Sequence, residues 1–144
     1  MPNVLIFDLE SNGLLDTADR LWVAATPHVC LIQKEAQDIT AFLKAHTAAD
    51  GIIAGHNIID YDLPLLNKLF GYEHKGKVLD TLVLSRLLNP KRKGGHGLEA
   101  WGVRFGVPKP PIEDWTKWND KMPHRCKEDV RINTLTLDYL LKEG

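Results

Sequence analysis

Val4-Leu5-Ile6-Phe7 is a short apolar, β-favouring run bounded by acidic and turn residues, which predicts a buried strand. Leu21–Ala25 predicts a second, after a turn around residues 16–19, and residues 29–32 a weaker third. Short connections join the three, as in an antiparallel meander. The period then changes: Ile39, Phe42, Leu43 and His46 fall at helical spacing, with Asp38 placed to cap the helix. Gly51-Ile52-Ile53-Ala54-Gly55 predicts a further buried strand. Leu65, Leu66 and Leu69 place a helix after Asp62, with Pro64 in its first turn and Gly71 past its end. Val78-Leu79 predicts a short strand, and Thr81–Leu88 a helix capped by Asp80. Leu98, Trp101 and Phe105 mark a short helix ending near Gly106. Val130, Thr134, Leu137 and Leu141 trace one face of a final helix. Three antiparallel strands followed by alternating helices and strands give an α/β domain with a mixed sheet. Residues 108–120, rich in Pro and Trp, form the one long irregular stretch, a kind of loop that is often functional or a lid.

Composition changes little in this picture. A chain of 144 residues, 44% hydrophobic and 26% charged, fits one globular domain spanning 1–144. No apolar run approaches the roughly 20 residues of a membrane span, so a membrane partner is not expected. Met1-Pro2-Asn3-Val4 lacks the basic start and apolar stretch of a signal peptide. Cys30 and Cys126 match no metal or redox spacing and read as free thiols, which points to a cytoplasmic setting. Charge is unevenly spread: residues 1–62 carry nine Asp/Glu against three Lys/Arg, and residues 63–144 carry ten against fifteen. That split suits an acidic centre beside a basic surface that meets phosphates, and equally suits scattered solvated charge.

Three short segments carry the candidate chemistry. Asp8 and Glu10, as D-x-E at the end of the first strand, point to one face because strand side chains alternate. Two carboxylates that close repel each other unless a cation neutralises them, and hard oxygen ligands suit Mg²⁺ or Mn²⁺. A solvated turn is the ordinary alternative. Gly55-His56-Asn57-Ile58-Ile59-Asp60-Tyr61-Asp62 follows the fourth predicted strand; Asp62 is a ligand candidate or a helix cap, and Asp60 competes with it. His56 alone reads as structural. His124-Arg125-Cys126-Lys127-Glu128-Asp129 opens the last helix, where Asp129 is either a partly buried acid needing a partner or an ordinary acid at a helix start. On an ideal helix His124 would lie about 140° round from Asp129, at roughly 100° per residue. An irregular segment around Pro123 would instead let it lean over the site.

In order and spacing these segments resemble the DEDD (DnaQ-like) family of 3′→5′ exonucleases. Asp8-Leu9-Glu10 matches the family's D-x-E. Asn57-Ile58-Ile59-Asp60-Tyr61-Asp62 matches N-x-x-x-[FY]-D and selects Asp62 over Asp60. The third motif occurs as Y-x-x-x-D or H-x-x-x-x-D; Arg125 stands in the tyrosine place, whereas His124 and Asp129 satisfy the histidine form, that of the DEDDh branch. His56-Asn57, Tyr61-Asp62-Leu63-Pro64, the segment from Asp80 to Leu87 and His96-Gly97-Leu98-Glu99-Ala100-Trp101-Gly102 are similar to stretches of the proofreading domain of A-family DNA polymerases from short-tailed phages. Those domains carry the tyrosine form, so the closest likeness and the catalytic branch disagree.

The resemblance implies a ribonuclease-H-like fold with a mixed five-stranded sheet, three antiparallel strands followed by two parallel ones. It implies hydrolysis of phosphodiester bonds from a 3′ end, releasing nucleoside 5′-monophosphates, with two divalent ions, Mg²⁺ or Mn²⁺. Asp8 would bridge the ions, Glu10 and Asp129 would support the one on the nucleophile side, and Asp62 would hold the second largely through water. His124 would be the general base. The expected partner is a nucleic-acid 3′ end, DNA ahead of RNA, with a separate DNA polymerase as a further implied partner in a phage-infected host cell. Substrate contact is expected from Leu9, Ser11, Asn12, Gly13, Leu14 and Asn57, Leu14 being either an apolar wedge or simple core packing. Lys91-Arg92-Lys93-Gly94-Gly95 reads as a backbone-binding loop or a plain solvated one. An exoribonuclease acting on short RNA, and a catalytically silent binding module, are the competing readings.

Overall fold

The computed structural model describes residues 3–144; Met1 and Pro2, part of the segment inspected for a signal peptide, lie outside the described residues. The first apolar run does not end at the D-x-E but continues through it. Val4–Ile6 form β1 and Asp8–Ser11 form β2, with only Phe7 between them. The chain then runs through β3 (Leu21–Ala25), β4 (Cys30–Ile32), a 3₁₀ segment (Gln33–Asp38), α1 (Ile39–Ala48) and β5 (Ile52–Gly55). A single π turn (Ile58–Asp62) leads into α2 (Leu63–Phe70), followed by β6 (Lys77–Asp80), α3 (Thr81–Leu88), α4 (Leu98–Phe105) and α5 (Met122–Glu143).

β2, β3 and β4 form the antiparallel meander, and β1, β5 and β6 pair in parallel. The expected antiparallel and parallel strands are therefore present as two three-stranded sheets, with six strands among the described residues rather than five. Phe7 is where the count changes: before it the chain pairs with β5, after it with β3. The Phe7 amide donates to the Ala54 carbonyl at 3.0 Å, completing the switch. The α/β class and the ribonuclease-H-like arrangement stand.

Alternation along this first run distributes the core between the two faces of the sheet. Phe7 and Leu9 point to one face, where Leu43, Ile53, Leu65 and Leu66 pack with them. Ile6 points to the other, with Trp22, Val23, Ala54, Met122, Cys126 and Val130. Asp8 and Glu10 share the parity of Ile6, so the helix that covers that face, α5, also faces the two carboxylates. Trp101 sits in a smaller cluster between α4 and α5 with Val107, Ile132 and Leu140, the core role its spacing predicts.

Most helix ends behave as the sequence predicts. Gly71 and Gly106 take left-handed conformations at φ +67, and Asp80 caps α3 by accepting from the Leu82 and Val83 amides. Asp38 is an exception: its side chain makes no cap bond, because the 3₁₀ segment runs straight into α1 and its own carbonyls take the first amides. No helix among the described residues is long and apolar enough to cross a membrane.

Candidate metal and nucleic-acid site

β2 delivers the first pair of carboxylates. Asp8 stands opposite Ala25 and Glu10 opposite Val23, both turned toward α5. Beneath them lies Cys126, whose thiol approaches the Asp8 carbonyl at 3.4 Å and its Oδ2 at 3.5 Å. One atom each from Asp8, Glu10 and Cys126 falls within a 4.8 Å cluster. Asp129 comes next along α5, on the helix face directed at the same cleft, and is buried.

Asp62 reaches the site through a built turn. A Cβ on Gly55 would lie 2.3 Å from Ile58 Cγ2 and 3.0 Å from the Phe7 carbonyl, so glycine is what lets the chain turn close over the sheet. Asn57 then adopts a left-handed conformation at φ 64. Asp80 holds the turn from below, accepting from the Asn57 amide at 2.9 Å and the Ile59 amide at 3.1 Å while it caps α3. The π turn that follows rotates Asp62 inward, to 4% exposure, and leaves Asp60 exposed. The selection of Asp62 over Asp60 matches this placement, and the side chain of Asp62 caps nothing.

Asp8, Asp62 and Asp129 line one open cleft with Leu9, His56, Asn57, Leu98 and Lys109, and Glu10 lines the adjoining groove. Burial is the main cause that raises all three shifted carboxyls. It pushes Asp8 well above the carboxylate range, reinforced by the charges of Asp129, Glu10 and Asp62. Asp62 is raised chiefly by burial, and Glu10 is pushed up to about 9 by burial and then by Asp129. Glu10 Oε1 is buried without a hydrogen-bond partner among the described residues. Such a set of hard, crowded oxygens, one of them without a partner, fits a divalent cation.

His56 is structural, as read from the sequence. Its Nε2 faces the His96 carbonyl at 2.7 Å, so that nitrogen carries the proton and Nδ1 accepts from the Thr81 hydroxyl at 2.8 Å. Burial lowers its pKa.

His124 is not where the histidine form of the third motif requires it. The expected irregular segment around Pro123 is absent: α5 begins at Met122, with Pro123 accommodated in its first turn. A continuous helix turns His124 away from Asp129, and the side chain is exposed and lines neither the cleft nor the groove. Arg125, one turn before Asp129, takes the inward face instead. Its guanidinium donates to the Pro110 carbonyl at 3.0 Å, lies 3.7 Å from Glu99 and 5.5 Å from the Trp115 ring, and lowers the Glu10 pKa by its charge.

The expected substrate contacts separate into two groups. Leu9 and Asn57 line the cleft; Leu9, Ser11, Gly13 and Leu14 line the groove, together with Tyr61 and Trp115. Ser11 and Tyr61 touch through their hydroxyls, and each also lies 2.8 Å from the Gly13 carbonyl. Asn12 accepts from the Asp19 and Arg20 amides and donates to Asp19 Oδ1, so its side chain shapes the loop. What this loop projects is Leu14, 75% exposed, which excludes simple core packing.

No protein-family model matches the chain. Among curated proteins it is 26% identical over 188 residues to the DNA-directed DNA polymerase of Escherichia phage T7, a match covering 97% of this chain and 27% of the polymerase. It is 31% identical over 117 residues to DNA polymerase III PolC-type of Latilactobacillus sakei, covering 77% of this chain and 7% of that protein. The chain thus spans about a quarter of the length of its phage relative. Among solved structures, Brucella melitensis NrnC with bound Mg²⁺ superposes with a TM-score of 0.74 at 18% identity, covering 99% of this chain and 74% of that one. Exonuclease X in complex with 5′ overhanging duplex DNA superposes at 0.54 and 17%, covering 98% and 92%. The chain is thus similar in sequence to DNA polymerases and shares its fold with the DnaQ-like (DEDD) nucleases NrnC and Exonuclease X. Asp8, Asp62 and Asp129 share the cleft and Glu10 lines the groove beside it, while Arg125 stands on α5 in the place of the motif's tyrosine.

Sequence reasoning missed four residues of this surface. Lys109, Trp115 and Glu99 line it from the irregular stretch and α4, and Cys126 lies against Asp8. The proline-bracketed lysine in Val107-Pro108-Lys109-Pro110-Pro111 was the available signal. Arg92, read with the basic loop, is instead held inside, pairing with Glu143 at 2.6 Å and lying 4.8 Å from the Trp101 ring.

Proposed function

We propose that this chain is a 3′→5′ exonuclease that releases nucleoside 5′-monophosphates from nucleic-acid 3′ ends, with DNA as the preferred substrate. The observation that carries the reading is that Asp8, Asp62 and Asp129 line one open cleft, with Glu10, its Oε1 buried and unpartnered, in the groove beside it. These four would hold the divalent ions, Mg²⁺ or Mn²⁺, two in number by family likeness. Bound there, such ions supply positive charge for the phosphoryl oxygens and a water more acidic than bulk. Leu14 and Trp115 flank the groove beside Glu10, a position for the terminal base. With α5 intact His124 faces away from the cleft, so a general-base role for it would need the first turn of α5 to unwind.

Preference for DNA is supported by the relatives, which are DNA polymerases. A phage-infected cell and a separate polymerase as partner follow from the same likeness. A second reading, short RNA as substrate, is favoured by one neighbour of the same fold, NrnC bound to pGG.

Matched end-labelled DNA and RNA oligonucleotides, single-stranded and duplex, test the proposal with Mg²⁺ or Mn²⁺ present. Laddering from the 3′ end that chelator abolishes is expected, with DNA degraded faster. Faster loss of RNA would replace the first substrate by the second. No laddering of any oligonucleotide with either ion would end the exonuclease reading.

A further inference from the structure

The carboxylate cluster already contains a cation from its own chain. Lys109 Nζ lies 2.7 Å from Asp129 Oδ1, with the two side chains 11% and 9% exposed. This is not a long surface lysine that has drifted onto an acid. Lys109 stands between Pro108 and Pro110-Pro111, where proline fixes φ and also confines the residue before it to extended backbone. Arg125 then anchors the segment by donating to the Pro110 carbonyl at 3.0 Å. A stiff, anchored segment thus presents one ammonium to the carboxylate that family likeness makes a metal ligand. An ion pair this enclosed resists screening by salt, and removing one partner would leave the other buried and uncompensated.

Taking the four carboxylates as the metal site, we propose that Lys109 is the site's internal counter-ion: it occupies Asp129 when metal is absent and must withdraw before a divalent ion takes that carboxylate. Metal entry and withdrawal of the Lys109 ammonium are then one exchange. Asp129 cannot give the same oxygen to both cations at full strength, so the ammonium weakens the apparent affinity for metal. Lysine suits such an exchange because its compact ammonium on a flexible stem can leave without dragging a planar fork of hydrogen bonds with it.

Titration of the metal-free protein with Mn²⁺, followed by calorimetry and by the spin-resonance signal of free Mn²⁺, tests this without reference to activity. Wild type is compared with K109Q, K109M and K109R at one pH and ionic strength, circular dichroism confirming that each is folded. K109Q and K109M are expected to bind Mn²⁺ about tenfold more tightly or better, while K109R, which keeps the charge, stays near wild type. Two neutral variants guard against one that fails to fold. Mn²⁺ affinity in both that equals or falls below wild type overturns the proposal. If none of the four proteins binds Mn²⁺, the carboxylate reading itself fails, an outcome distinct from binding that is indifferent to Lys109.

Discussion

Arg125 and Asp129 stand one turn apart on α5 and share its inward face, whereas His124 is turned to solvent. The helix therefore sets which third-motif residues point inward. Replacing His124 by alanine is expected to lower kcat less than about tenfold at neutral pH with chemistry limiting, since general-base catalysis is worth roughly 10²–10⁴-fold where it operates. A larger loss in single-turnover assays would show that the first turn of α5 opens during the reaction and brings the histidine in.

Asp8 faces Asp129, Glu10 and Asp62 together. Asp8→Ala should reduce exonuclease rate by at least about 10²-fold, more than is typical for the outer partners of a metal ligand. Metal-free stability should not fall with it, because the change relieves like-charge repulsion in the core. Comparing rate with thermal midpoint separates the two effects. Activity surviving in Asp8→Ala would remove the basis for the carboxylate mechanism.

Metal-free stability should depend on pH in a direction opposite to that of a salt-bridged acid. Glu10 has an ordinary value of 4.5 and is raised to about 9 in the folded chain, so the folded state binds the proton more tightly. Its contribution is fully present below about 4.5 and is lost as pH rises through about 9, and Asp8 and Asp62 shift in the same direction. In chelator the thermal midpoint should therefore fall between these limits. Adding Mn²⁺ at the upper end should restore part of the loss. A midpoint that rises with pH across this window in chelator would contradict the burial of uncompensated carboxylates.

Much of this architecture was legible in the residues themselves. Alternation in Val4–Ser11 was enough to put Asp8 and Glu10 on one face, whereas preferring Asp62 to Asp60 took the resemblance of Asn57–Asp62 to the N-x-x-x-[FY]-D motif. Period alone could not show that Phe7 divides the first strand, because a change of hydrogen-bonding neighbour leaves the alternation intact. Nor could it place His124: a proline two residues into a helix and a proline in a loop look alike in sequence, and the outcome depends on how Met122 packs beneath the sheet. The prolines around Lys109 mark it in the sequence, but they do not name its partner. Its partner lies 20 residues away across an irregular segment, and no local pattern encodes such a contact.

Gly55 offers a test of how the second motif is held. A methyl group there would meet Ile58 Cγ2 at 2.3 Å and the Phe7 carbonyl at 3.0 Å, and both belong to the packed interior. Gly55→Ala should therefore cost about 1–3 kcal/mol of stability by overpacking. Because Ile58 opens the turn that carries Asp62, kcat should fall as well. Unchanged chemical denaturation would show that the turn yields more easily than its contacts suggest.

Leu14 separates binding from folding most cleanly. At 75% exposure it contributes little to the core, so Leu14→Ala should change stability by no more than about 0.5 kcal/mol. It lines the groove beside Glu10 with Trp115, the position proposed for the terminal base. The Ser11, Tyr61 and Gly13 contacts keep the loop in place without it, so the loss should be one of base contact and not of loop order. Steady-state kinetics on single-stranded and duplex substrates should show KM rising severalfold with kcat less affected. The duplex should suffer more, since an apolar wedge helps to part the last base pair. Equal kinetics for wild type and Leu14→Ala on both substrates would leave this exposed leucine without a part in substrate binding and move the terminal base elsewhere along the cleft.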